Sequence, residues 1–229
     1  MGYKKERFFI VTFSFWSLVR PILFRFDPEW IHDRTIEISE GIGKVDWVIG
    51  LLRKHYRIHD ERLRIDLGGL SFNNPIGLAA GFDKNGRAIS LLGTLGFGHI
   101  EVGSVSINSS KGNPRPRLFR LPKDEAIIVN YGVPNQGAKV VGERLGHRCS
   151  QGPIGINIVE TNTGKTSTAD QIIEEYVEAT RLLSAKADYI TLNLNCPNTS
   201  AGESIFDKAS VLKSLMEGCD EIRDLPPIF

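Results

Sequence analysis

The residues best suited to chemistry lie together in Asn193–Thr199, which reads Asn-Leu-Asn-Cys-Pro-Asn-Thr. Three amides and the Cys196 thiol stand here at the end of an apolar run, Tyr189–Asn195, that has the length of a buried strand. Buried amides are costly unless they are hydrogen-bonded. The cluster therefore indicates either a ligand site or a loop that its own asparagines hold together, with Pro197 fixing the turn beside Cys196.

Small and polar residues close three other apolar runs. Gly77–Gly86 reads Gly-Leu-Ala-Ala-Gly-Phe-Asp-Lys-Asn-Gly. Its small residues allow a flat ligand to approach the backbone, and Lys84 adds a cation beside it. Ser104 closes a second run and Asn157 a third. Taken singly, each feature is more typical of a turn than of a binding site.

The elements that would position these residues alternate between strand and helix. The predicted strands are Asn74–Ala80, His99–Val105, Ile154–Val159 and Tyr189–Asn195. The predicted helices are Asn85–Leu95, Gln136–Leu145, Thr168–Lys186 and Ser204–Asp224. This order predicts parallel strands with right-handed crossovers and fits part of an α/β TIM (β/α)8 barrel. Active sites of such barrels lie at the carboxyl ends of the strands, where the polar residues stand.

The first 26 residues have a different composition. They hold half of the twelve Phe residues, and the apolar run Phe8–Val19 is flanked by Lys and Arg. A helix of this length covers about 18 Å, less than the ~30 Å hydrocarbon core, which disfavours a transmembrane span. We expect an interfacial anchor over 1–26. A signal peptide and a helix packed on its own protein are the alternatives.

Two short amphipathic helices are predicted next. Asp27-Pro28-Glu29 is a typical helix start, and a second helix covers Val45–Lys54. The charged stretch Arg57–Arg64 has no apolar period. We therefore divide the chain into the anchor 1–26, a small helical membrane-facing domain 27–62 and a barrel portion 63–229.

Composition narrows the classes of function. The chain has 229 residues, 28 Lys+Arg and 27 Asp+Glu, giving a net charge of +1, and this balance does not indicate nucleic-acid binding. Hydrophobic residues make up 41% and charged residues 24%, as in soluble globular domains. The three cysteines have neither a metal-binding spacing nor the even number of a disulfide scaffold. We predict no metal site.

The motifs together resemble those of dihydroorotate dehydrogenase. They are Asn74–Gly86, Gly96–Gly98 with Glu101–Ser104, Gly112–Arg120 and Asn193–Thr199, in the family's order. Arg20–Glu29 resembles the lead-in helix of the membrane-associated, quinone-dependent class. The resemblance implies a TIM barrel holding FMN and oxidation of dihydroorotate to orotate in de novo pyrimidine biosynthesis, with electrons passed to quinone. It also implies a peripheral membrane location, at the cytoplasmic or inner-membrane face.

The resemblance also implies roles for individual residues. Cys196 occupies the position of the family's catalytic base, which removes the C5 proton of dihydroorotate while the C6 hydride passes to the flavin. The implied FMN contacts are Ala80, Gly81, Phe82, Asp83, Lys84, Ser104, Asn157 and Asn193. The implied substrate contacts are Lys84, Asn130, Tyr131, Gly132, Val133, Asn193, Asn198 and Thr199.

The sequence departs from the family pattern in three places. Position 196 is Cys, as in the soluble class, whereas the quinone-dependent class normally carries Ser. A thiol can still serve as the base. The substrate loop, normally Asn-Arg-x-Gly-Phe-Asn, is Val129-Asn-Tyr-Gly-Val-Pro134, so Val129 falls where a substrate-binding Asn is expected. Val159–Asn162 replaces Gly-Lys-Asn-Lys, which puts Glu160 where the family has a cation near the flavin.

The chain stops at Phe229, where the family's fifth strand would begin. We therefore expect a barrel truncated after about four βα units, a fragment that alone holds FMN weakly and is inactive. Two further alternatives are a flavoenzyme acting on another pyrimidine-like substrate and a non-catalytic membrane-associated relative in which Cys196 is inert.

Overall fold

A computed structural model describes residues 16–57, 60–146, 152–163, 167–196 and 205–229. Most of the expected anchor, 1–15, lies outside the described residues, as do the predicted substrate contacts Asn198 and Thr199.

Helices and strands alternate through most of the described chain. The helices are α1 (16–23), α2 (Pro28–Ile42), α3 (Asp46–Tyr56), α4 (Ile89–Leu92), α5 (Ala138–Leu145), α6 (Ala169–Leu183) and α7 (Ala209–Asp220). The strands are β1 (Ile65–Leu67), β2 (Leu70–Phe72), β3 (Gly77–Leu78), β4 (His99–Val105), β5 (Leu118–Leu121), β6 (Ala126–Val129), β7 (Ile154–Ile158) and β8 (Tyr189–Leu192). Short 3₁₀ turns cover Glu61–Leu63, Ser184–Lys186 and Ile205–Asp207.

A four-stranded parallel sheet in the order β3-β4-β7-β8 forms the centre of the fold. All five residues of β7 are buried, as expected for a parallel strand covered on both faces. Helices α5, α6 and α7 contribute Val141, Leu183 and Leu215 to the same core. The predicted parallel order is thus confirmed, and all four strand carboxyl ends meet at one edge of the sheet.

Several predicted elements are shorter than expected: the strand predicted over Tyr189–Asn195 ends at Leu192, and the helix predicted over Ser204–Asp224 covers Ala209–Asp220. Local side chains and glycines shorten two others. The strand expected over Asn74–Ala80 is reduced to Gly77–Leu78, because the Asn74 amide bonds the Gly96 carbonyl and the Ile76 N–H in a turn. The helix expected over Asn85–Leu95 shrinks to α4, since Gly86 adopts φ +64° just before it.

Two antiparallel hairpins were not predicted. Strands β1 and β2 are joined by Gly68-Gly69, both with positive φ, which is a typical two-residue hairpin turn. Strands β5 and β6 pair from Leu118 with Val129 to Leu121 with Ala126. This second hairpin lies between β4 and α5 in the chain and contributes to the site.

Two aromatic rings lie over glycines on neighbouring strands. Gly77 on β3 pairs with His99 on β4, and Gly155 on β7 pairs with Tyr189 on β8. A Cβ on Gly77 would stand 2.0 Å from the His99 ring, and one on Gly155 would stand 2.1 Å from the Tyr189 ring. Only glycine leaves room for each ring.

Helices α1, α2 and α3 precede the sheet. Asp27 caps α2 by accepting the Trp30 N–H at 2.8 Å, which confirms the predicted start. Arg120 on β5 donates to the Phe26 carbonyl at 3.1 Å and so holds the chain between α1 and α2. Helix α3 buries only Ile49. Among the described residues, none of the helices combines the length and the apolar character needed to cross a membrane.

Candidate functional site

A network of polar side chains occupies the carboxyl ends of β4, β7 and β8. The Ser104 hydroxyl donates to the Asn157 side-chain oxygen Oδ1 at 2.5 Å, and the Asn193 side-chain amide donates to the Ser104 hydroxyl at 3.2 Å. The Asn193 backbone carbonyl accepts the Tyr176 hydroxyl at 2.6 Å. Three residues predicted to bind the flavin are therefore brought together by three separate strands.

Glu101 anchors this network from below and was not predicted as a site residue. Its carboxylate accepts the Asn157 amide at 2.9 Å, the Thr191 hydroxyl at 3.1 Å and the Tyr189 hydroxyl at 3.3 Å. Because Asn157 donates to Glu101, its carbonyl oxygen faces Ser104. The missed signal was an acid inside an apolar strand, which is costly to bury unless neighbours donate to it.

A cavity of about 560 Å³ opens above the network. Predicted site residues that line it are Ala80, Gly81, Phe82, Lys84, Ser104, Tyr131, Val133 and Cys196. Gly81 has φ +101°, and a Cβ built there would meet no atom within 4 Å. The backbone is thus exposed to the cavity at Gly81, so a flat ring system can approach it closely.

Lys84 is a half-buried cation that lines the cavity. Its Nζ donates to the Gly81 carbonyl at 2.8 Å and lies 4.3 Å from the centre of the Tyr131 ring. Burial lowers the pKa of Lys84, and the opposing charges of Asp33 and Glu29 offset only part of that effect. A desolvated ammonium held this way suits an anionic ligand.

His32 of α2 also lines the cavity and was not predicted. Its ring meets the Phe82 ring edge to face, with centres 5.2 Å apart. Burial, and then the charge of Lys84, lower the pKa of His32, which favours the neutral imidazole. The helical segment, residues 16–57 with α1, α2 and α3, therefore contributes directly to the cavity.

The β5–β6 hairpin gives the cavity an apolar side through Leu118, Ile127 and Val129. Ile127 remains 63% exposed and Val129 37% exposed. The sequence offered no charged or polar signal for this wall, because its residues are ordinary strand formers.

Two predicted site residues direct their side chains elsewhere. The Asp83 carboxylate accepts the backbone N–H groups of Arg87 at 3.0 Å and Ala88 at 2.7 Å. The Asn130 side-chain oxygen Oδ1 accepts the Asn113 side-chain amide at 2.9 Å, while Val129 lines the cavity. Asp83 thus holds a turn, and alternation along the chain turns Asn130 away. Their roles in cofactor and substrate binding stay predictions.

The substrate loop is held tightly by its neighbours. Gly132 has φ +66°, and a Cβ there would stand 2.6 Å from the Asn113 backbone nitrogen. The next residue, Val133, has φ +56°, which is unusual for a β-branched side chain.

Among the described residues, no group of three His, Cys, Asp or Glu side chains is placed to hold a metal ion.

Comparison with known proteins gives one consistent match. A family profile described as dihydroorotate dehydrogenase matches residues 62–229. The dihydroorotate dehydrogenase (quinone) of Acidithiobacillus ferrooxidans is 39% identical over 206 residues, covering 88% of this chain and 55% of the relative. That of Gloeobacter violaceus is 42% identical over 184 residues, covering 80% of this chain and 51% of the relative.

A solved structure agrees with these matches. The crystal structure of DHODH in complex with ferulenol from Eimeria tenella superposes with a TM-score of 0.64 at 33% identity. The superposition covers 85% of this chain and 50% of that chain. The chain spans about half the length of the curated relatives it matches.

Proposed function

Because the chain belongs to the dihydroorotate dehydrogenase family, we propose that this protein oxidises dihydroorotate to orotate in pyrimidine biosynthesis and passes the electrons to a quinone. The family fold is a TIM-barrel-type α/β fold, and the parallel order β3-β4-β7-β8 agrees with it. One observation carries the proposal: the sheet edge brings Lys84, Ser104 and Cys196 into one cavity.

The residues present fit an FMN ring. Gly81 leaves its backbone open to the cavity, and Ser104 lines the same space. Asn157 and Asn193 hydrogen-bond to Ser104 and complete a row of donors and acceptors at the strand ends. We propose that these four residues hold the ring. When bound, FMN supplies the acceptor for the hydride from C6 of the substrate.

The chain's own residues bind the substrate and move its proton. The Lys84 ammonium is placed to offset the substrate carboxylate, because it is half-buried and lines the cavity. We propose that the Cys196 thiolate accepts the proton from C5, leaving the C5–H electron pair to form the new C5–C6 double bond. The C6–H electron pair leaves with the hydride.

The apolar side of the cavity supports a quinone as the electron acceptor. Leu118, Ile127 and Val129 of the hairpin line it on one side, and His32 of α2 borders it on the other. A quinone ring is flat and apolar with two carbonyl acceptors, so it suits such a wall beside a ring nitrogen.

We also propose that the helical segment binds a membrane surface. Helix α3 buries only Ile49, while Trp47 is 74% and Leu51 is 61% exposed. On α1, Leu18 is 72% exposed. Large apolar side chains left in water on short helices are typical of interfacial attachment, where a membrane-dissolved quinone would be met.

Because we expect the 229-residue chain alone to hold FMN weakly and to be inactive, the test is formation of orotate by the complete, flavin-loaded protein with dihydroorotate and a short-chain quinone. We expect Cys196→Ala to keep its flavin but lower kcat by about 100-fold or more. The Cys196→Ser variant, which carries the residue usual in the quinone-dependent class, should retain more activity than Cys196→Ala. Flavin-loaded protein that forms no orotate above background would contradict the proposal.

Val129 favours a second candidate, oxidation of another pyrimidine-like ring by the same site. It lines the cavity where the family pattern has a substrate-binding Asn. Under this second candidate the unchanged protein turns over dihydroorotate poorly, and Val129→Asn raises kcat/KM about tenfold by regaining one hydrogen bond. Efficient turnover by the unchanged protein, with no gain in Val129→Asn, would instead favour dihydroorotate.

A further inference from the structure

A buried ion pair joins α2 to the loops around the substrate site. The Glu29 carboxylate accepts Arg117 Nη2 at 2.7 Å and Nε at 3.1 Å, and both side chains are only 6% exposed. Arg115 adds a contact to the same carboxylate at 2.9 Å. Although burial alone would raise the pKa of Glu29, its bonds and charge contact with Arg117 hold that pKa below its ordinary value.

The remaining donors of Arg117 bind backbone in two loops. Its Nη1 reaches the carbonyl oxygens of Lys111 at 2.7 Å, Asn113 at 2.9 Å and Tyr131 at 3.3 Å. The Asn130 N–H donates back to the Arg117 carbonyl at 2.8 Å. Arg117 therefore fastens the substrate loop to the segment before β5, and Glu29 fixes Arg117 in turn.

The Tyr131 ring extends this chain of contacts to the cavity. Arg117 Cζ lies 5.3 Å from the ring centre, and Lys84 Nζ lies 4.3 Å from it. Two cations thus share one aromatic ring, with Glu29 neutralising the outer cation. Lys84 is the residue that we place against the substrate carboxylate.

We propose that the Glu29–Arg117 pair is a positioning device that holds Tyr131 and Lys84 in place for the substrate from the helical segment. This proposal rests on the proposed function. It makes Glu29, on α2, a positioning residue that acts through Arg117. Glu29 does not line the cavity that holds Cys196, but Glu29 and Arg117 line an adjoining cavity of about 730 Å³ together with Lys84 and Tyr131.

The alternative is that the pair only attaches α2 to the sheet. An attachment would affect unfolding but leave the loop's internal order and its ligand affinity unchanged. Positioning predicts loosening at Asn130 and Tyr131 and weaker binding of an anion at Lys84, with the flavin still in place.

The experiment compares Glu29→Gln and Arg117→Lys with the unchanged, flavin-loaded protein. Glu29→Gln keeps the shape but removes the charge, and Arg117→Lys keeps the charge but loses the forked contacts. Glu37→Gln is the matched control, since Glu37 lies on the same helix in a surface pair with Arg34. Amide hydrogen exchange, flavin content, orotate affinity from the flavin absorbance, and kcat and KM are measured.

We expect amide exchange in the 129–135 loop to speed up about tenfold or more in both variants, because a broken buried pair leaves its partner unmatched. Orotate affinity should fall about tenfold and KM should rise more than kcat falls, with unchanged flavin content. Because both residues act through one contact, the Glu29→Gln, Arg117→Lys double variant should lose little more orotate affinity than either single variant. Glu37→Gln should match the unchanged protein.

Unchanged loop exchange and unchanged orotate affinity in both variants would overturn the proposal, even if both variants unfold more easily than the unchanged protein. If either variant fails to fold, the other still carries the comparison. If the unchanged protein binds no orotate, the proposed function fails, while loop exchange alone still decides whether Glu29 orders the loop.

Discussion

Side chains at the site have their orientation set by neighbouring residues, not all of which were predicted as site residues. Glu101 accepts the Asn157 amide and so directs the Asn157 carbonyl oxygen toward Ser104. Lys84 is held by the Gly81 carbonyl and the Tyr131 ring. The proposed ligand contacts therefore depend on further contacts within the protein that fix their orientation.

Replacing Glu101 by Gln should weaken flavin binding about tenfold. The carboxylate accepts from three donors, whereas an amide brings two donors of its own and leaves buried groups unmatched. Flavin retention on dilution measures the effect. Glu178→Gln, on the exposed side of α6, is the control and should keep its flavin. Equal retention in both variants would contradict the assigned role of Glu101.

Lys84 should give kcat/KM an alkaline limit. Burial lowers its pKa below the ordinary value of 10.5, so the cation that we propose attracts the substrate carboxylate is lost as pH rises through that lowered pKa. Folding stability has the opposite sign, since the unfolded chain binds the extra proton up to pH 10.5. The pH profile of kcat/KM checks this. Lys84→Arg should move the limit to higher pH, and an unmoved limit would assign it to another group.

Sequence reasoning singled out motif residues that the structure brings into one cavity, and their roles stay predictions; it did not single out the residues that surround and hold them. Lys84, Ser104 and Cys196 stand in unusual polar patterns and are found together in the cavity. His32 and Glu101 are single polar residues whose importance depends on what packs against them. Asn130 shows the limit most clearly, because one step along an extended chain turned its side chain to Asn113.

The elements differ in how far local sequence determines them. Helix α6 has a capping box between Thr168 and Gln171 and closely follows the predicted Thr168–Lys186. Strand β3 is cut to two residues by a side-chain turn at Asn74. Neither hairpin was predicted: β1–β2 has a Gly68-Gly69 turn, whereas the β5–β6 turn carries no glycine and its last residue, Glu125, takes φ +50°.

Helix α3 provides a prediction for membrane attachment. Trp47 and Leu51 stand one helical turn apart and are exposed. Replacing both with Glu should lower binding to anionic phospholipid vesicles at least tenfold, because apolar insertion is lost and charge repulsion is added. Co-sedimentation measures this. Leu182→Glu, at a similarly exposed apolar position on α6, is the control. Equal loss in the control would indicate non-specific apolar binding.

On the scale of the whole molecule, the helical segment and the sheet are joined by charge as well as by packing. Glu29 pairs with Arg117, and Glu40 pairs with Arg87 at 2.7 Å next to the Gly77–Gly86 motif. Both carboxylates belong to α2. The alternation of strands and helices predicted the sheet, but no sequence pattern could predict these pairs, which join residues far apart in the chain.

Acid should therefore weaken the attachment of α2. Bonds to Arg117 and Arg87 hold the pKa values of Glu29 and Glu40 below their ordinary 4.5. Groups with a lowered folded pKa contribute full stability above pH 4.5 and lose it as pH falls through the folded values. Melting temperature should thus be insensitive to both groups from pH 7 to 5 and decline below 4.5.

The Glu29→Gln, Glu40→Gln double variant tests the origin of that decline. It should melt lower than the unchanged protein at pH 7 and show a smaller drop between pH 5 and pH 4. Parallel curves for the two proteins would assign the acid response to other carboxylates.

The rings of His99 and Tyr189, each lying over a glycine of the preceding strand, have a consequence for how the sheet assembles. Sliding either strand pair by one residue would drive the ring into a side chain instead of the gap. The two glycine–aromatic pairs thus fix the alignment of the strands, because a shifted register produces a steric clash. The two positions of each pair should also vary together in evolution. Alanine at position 155 is expected only in relatives in which a smaller residue has replaced Tyr189.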